Sequence, residues 1–64
     1  LISLSDTITH LDLSDNKLDN IQYLPSFITY LDLSKNNFKS INTWLLSDTL
    51  QYFDITENKI VNNI

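Results

Sequence analysis

His10 is the only histidine of this 64-residue chain, and it stands two residues before Asp12. A histidine beside a carboxylate is the start of a proton relay, but a relay needs a nucleophile whose proton the base can take. No such partnered nucleophile can be assembled here. The hydroxyls of Ser14, Ser34 and Thr56 fall at one position of a recurring pattern and are expected to bond across neighbouring strands. The carboxylates of Asp12, Asp32 and Asp54 recur in the same way. Calcium takes about six to eight oxygen ligands in a defined cage, which a flat column of carboxylates does not provide. Cysteine is absent, so neither a disulfide framework nor a cysteine-capped end can be argued. The chain is read as non-enzymatic, without metal or cofactor, and its functional residues are sought among surface columns.

Those columns come from three copies of one apolar pattern. The first copy runs IxxLxLxxNxL from Ile8 to Leu18, the middle copy repeats it from Ile28 to Phe38, and the last reads LxxFxIxxNxI from Leu50 to Ile60. Asn16 and Asn36 lie 20 positions apart, Asn36 and Asn58 lie 22 apart. Within each copy the apolar residues around the Asp alternate with polar ones, which predicts a short strand with one face buried. Three such strands, joined by long crossovers, predict a parallel sheet. Its outward columns are then His10, Tyr30 and Tyr52; Asp12, Asp32 and Asp54; Ser14, Ser34 and Thr56; and Asp15, Lys35 and Glu57. Ile21, Leu24 and Ile28 should point inward along the first arc, and Ile41, Trp44, Leu46 and Leu50 along the second. Trp44, Phe27 and Phe38 are read as core or near-core residues. Pro25 disfavours a helix interior, and residues 42–49 host a two-residue insertion relative to the first arc. Asn16, Asn36 and Asn58 stand where each strand ends, and are expected to form a ladder satisfying the backbone of the bend.

The run Leu24-Pro25-x-x-Ile28-x-x-Leu31-x-Leu33-x-x-Asn36-x-Phe38, with Leu11-Asp12-Leu13-Ser14-x-Asn16 and Leu31-Asp32-Leu33-Ser34-x-Asn36, resembles the leucine-rich repeat family. The first of these is similar to the short repeats of bacterial effector proteins, although Pro25 occurs in one arc only. The resemblance implies an α/β-type leucine-rich repeat solenoid of three coils. A parallel β-sheet would line the concave face, with mostly irregular or 3₁₀ arcs on the convex side. The whole of 1–64 is read as one such domain, with repeats at about 8–27, 28–49 and 50–64, and with 1–7 ending a preceding repeat. No polar capping coil is visible, so the chain reads as an excerpt from a longer array, with neighbouring repeats or chains at its open ends.

Net charge is −4 and only four lysines are present, unclustered. Nucleic acid and anionic membrane surfaces both call for clustered basic residues and are excluded as partners. No apolar run approaches the roughly 20 residues of a membrane span. No signal-peptide pattern and no N-x-S/T sequon occurs, which leans towards a cytoplasmic setting. The family resemblance implies a protein-binding module that receives a partner on the concave sheet. The candidate contact residues are His10, Asp12, Asp15, Tyr30, Asp32, Lys35, Tyr52, Asp54 and Glu57. Two rival readings are a structural segment held in a larger assembly, and the recognition part of an enzyme, such as a ubiquitin ligase effector, whose catalytic domain lies elsewhere.

Overall fold

The computed structural model describes residues 7–41 and 46–61. Three strands form, β1 (His10–Asp12), β2 (Tyr30–Asp32) and β3 (Tyr52–Asp54), and they make one parallel sheet in the order β1-β2-β3. Each is a three-residue segment with an apolar residue between two polar or aromatic ones, the composition of a half-buried strand. The register is the one the sequence predicts. His10 pairs with Tyr30 and Tyr30 with Tyr52, while Asp12 pairs with Asp32 and Asp32 with Asp54. Among the described residues there is no helix, and the described parts of the crossovers are irregular chain and turns.

Backbone hydrogen bonding continues past the strand ends. The Leu13 N–H donates to the Asp32 carbonyl at 2.8 Å and the Asp15 N–H to the Ser34 carbonyl at 2.9 Å. The same step recurs one copy on, from Leu33 to Asp54 at 2.7 Å and from Lys35 to Thr56 at 3.0 Å. Further along, Asn37 N–H reaches the Leu18 carbonyl and Lys59 N–H the Phe38 carbonyl. Each copy is therefore bonded to its neighbour along the strand and through the bend after it.

The core is centred on the middle copy. Ile28, Leu31 and Leu33 are fully buried, and Phe38 nearly so. Leu11, Leu13, Leu18, Ile21, Leu24, Ile41, Leu46, Leu50, Phe53 and Ile55 pack around them while partly exposed. The inward positions predicted for both arcs are thus occupied as expected where the chain is described. Trp44 lies outside the described residues. Phe27 departs from expectation. Its neighbour Ile28 takes the inward position, and Phe27, in the turn at Ser26–Phe27, is 62% exposed. In the longer arc the Ser47 hydroxyl donates to the Ser26 carbonyl at 2.9 Å and the Thr49 hydroxyl to the Ile28 carbonyl at 2.7 Å. Small hydroxyl residues so tie the second arc onto the first.

The asparagine ladder forms as predicted. Asn36 Nδ2 donates to the Leu13 carbonyl of the first copy and to the Leu33 and Ser34 carbonyls of its own, all at 3.0–3.1 Å. Its Oδ1 accepts from the Leu18 N–H at 3.0 Å. Asn58 repeats the pattern, donating to the Leu33, Ile55 and Thr56 carbonyls while accepting from the Phe38 N–H. Asn16 donates to the Leu13 and Ser14 carbonyls within its own bend. One amide thus closes its own bend and bonds the preceding copy, satisfying buried backbone groups that would otherwise be costly.

Candidate functional site

Alternation along each strand sends Leu11, Leu31 and Phe53 into the core and sends their neighbours to the opposite face. There the aromatic column becomes a stack. The His10 and Tyr30 rings lie 5.4 Å apart with an interplanar angle of 11°, and Tyr30 and Tyr52 lie 4.5 Å apart at 6°. Parallel in-register strands bring the ring positions to nearly the spacing at which rings stack. His10 Nδ1 also lies 3.2 Å from the Thr9 hydroxyl. Tyr52 is the more exposed of the two tyrosines in the stack, at 44%.

The carboxylate column lies beside the rings. As a row of like charges it should repel itself, but the structure supplies a local compensation. In every copy the Asp Oδ1 accepts a 2.9 Å hydrogen bond from the backbone N–H two residues on: Ser14 to Asp12, Ser34 to Asp32, Thr56 to Asp54. This closes the turn that leads out of the strand. The Thr56 hydroxyl also donates to Asp54, at 2.7 Å, within its own copy and not across strands as expected. These bonds hold the Asp12 and Asp54 carboxyls below the usual carboxylate range. For Asp12 the Ser14 hydroxyl is the larger cause and the Ser14 N–H the second; for Asp54 the Thr56 N–H leads and its hydroxyl follows. The Tyr52 hydroxyl donates to Asp54 Oδ2 at 3.2 Å. Its own pKa is pushed up, by desolvation first and then by the neighbouring Asp54 charge.

The third candidate column has a backbone feature that the sequence did not disclose. Asp15, Lys35 and Glu57 all adopt left-handed conformation, with φ of 59°, 58° and 55°. That region is ordinarily reached by glycine or asparagine, and the chain contains no glycine. The only sequence sign is position, since each of the three immediately precedes the ladder asparagine. Their side chains are exposed. The structure therefore brings the first two columns into one face by strand register, and attaches the third through the turn.

A second surface was missed altogether. Tyr23 and Phe27 are 60% and 62% exposed. Tyr23 and its neighbours Gln22, Leu24, Pro25 and Ser26, with Leu46 and Ser47, line an open depression of about 740 Å³ on the crossover side. Here the apolar residues follow neither a period of two nor of 3.6: Leu24 and Leu46 take the inward positions expected of them, Phe27 turns outward, and no pattern places Tyr23.

With this architecture in place, the comparisons with known proteins agree. One leucine-rich repeat family model matches residues 5–21 and a second matches residues 27–48. The chain belongs to the leucine-rich repeat family, and its three-stranded parallel sheet without a helix among the described residues fits a fragment of such a solenoid. Domains of this family generally mediate protein–protein interaction and are typically non-catalytic. No curated protein and no solved structure matches the chain.

Proposed function

We propose that the chain is a protein-recognition module that receives its partner on the sheet face bearing His10, Tyr30 and Tyr52, the concave face of a three-coil solenoid. The observation that carries this reading is the ring stack itself. Its rings lie on the sheet face opposite the buried Leu31 and are already ordered by one another at 4.5 and 5.4 Å. Rigid tyrosines supply contact area at low entropic cost, which is why they are enriched at binding hot spots. Asp12, Asp32 and Asp54 flank the rings, and Asp15, Lys35 and Glu57 form a charged rim. In this division aromatic area sets affinity, and rim charge sets association rate and specificity.

The test is capture of a partner from lysate by the tagged chain, run beside a Tyr30→Ala/Tyr52→Ala variant whose fold is verified by circular dichroism. Loss of the captured protein in the variant supports the sheet face. Equal retention overturns the reading. It would favour instead a structural segment held through the crossover side, to which the exposed Tyr23 and Phe27 point. Substituting those two residues is the matching experiment for that alternative.

A further inference from the structure

We draw no further inference here: the strongest candidate, the polar depression of about 410 Å³ between the bends of the three copies that holds Lys39 and Lys59, rests on two exposed lysines beside the opposing Asp19, and nothing in the structure shows what fills it.

Discussion

The middle copy of the pattern and the two outer copies are built from nearly the same residues, yet they are buried very differently. Leu31 and Leu33 are fully buried, Phe38 is 1% exposed and Asn36 is 5% exposed. At the equivalent positions, Leu11, Leu13, Phe53 and Ile55 are only partly buried, Ile60 is 43% exposed and Asn16 is exposed. Nothing in the residue types produces this contrast. The middle copy is flanked by two others that cover its faces and share its hydrogen bonds. In such stacks stability belongs largely to the interfaces between neighbours, so a residue's worth depends on its place in the stack.

The largest test of that contrast is in the core. Leu31→Ala should cost about 2–5 kcal/mol, the range for truncating a fully buried leucine with a cavity left behind. Leu11→Ala, at the equivalent but partly exposed site, should cost about half as much, since less surface returns to water and the site can relax. Urea denaturation of the two variants measures both. Equal losses would mean that burial differences between the copies carry no energetic weight.

The ladder offers the next step down. Asn36→Ala removes an amide that bonds Leu13, Leu33 and Ser34 and accepts from Leu18, leaving buried backbone groups without partners. A cost of about 1–3 kcal/mol is expected. Asn16 is exposed and donates within its own bend, so water can replace it and Asn16→Ala should cost well under about 1 kcal/mol. Thermal denaturation of the pair would sharpen the comparison. A larger loss at Asn16 would contradict it.

Register and core were legible because both follow from periods. Spacing between the asparagines and alternation around each Asp are enough to place His10 opposite Tyr30 and Leu31 opposite Phe53. Phe27 and Ile28 show where that reading ends. Both are apolar and adjacent, in an arc with no regular period, and only the turn at Ser26–Phe27 decides that Ile28 goes in and Phe27 out. The Asp column was readable as a row of charges, but its turn-closing role needed attention to the Ser or Thr two residues on. Ring stacking was legible as a possibility of the register; its distances and angles depend on side-chain packing that no pattern encodes. Left-handed backbone at Asp15, Lys35 and Glu57 was hidden because glycine, the residue that usually marks it, is absent.

That hidden feature yields a smaller effect of the opposite sign. Left-handed conformation costs a side chain with a Cβ roughly 1–2 kcal/mol, against about 0.5–1 kcal/mol for the extra freedom that glycine loses on folding. Lys35→Gly in the middle copy should therefore stabilise the chain by about 0.5 kcal/mol. Asp15→Gly should change stability little, because aspartate tolerates this region better than lysine. Chemical denaturation of the two variants measures the difference. A destabilised Lys35→Gly variant would show that contacts of the lysine stem outweigh the backbone term.

The smallest expected effect concerns the outer copies alone. Asp12 and Asp54 have carboxyls lowered from the ordinary 3.8 by the hydroxyl and N–H of Ser14 and Thr56. A group whose folded pKa is depressed contributes stability that is fully present above its unfolded value and is lost as pH falls through the folded one. The loss therefore begins near the ordinary 3.8 and continues below it, with no change expected at neutral pH. Asp12 is exposed and Asp54 only half-buried, so solvent screening keeps the amplitude small. Asparagine retains the Oδ1 acceptor that closes the turn but does not titrate, which isolates the charge from the turn geometry. In Asp12→Asn/Asp54→Asn, melting temperature should fall less steeply below about pH 4 than in the parent chain, while the two proteins keep a similar slope between about pH 5 and 7. An unchanged acid limb would mean that protonation elsewhere governs acid unfolding, and that these bonds shape the turns without coupling them to charge.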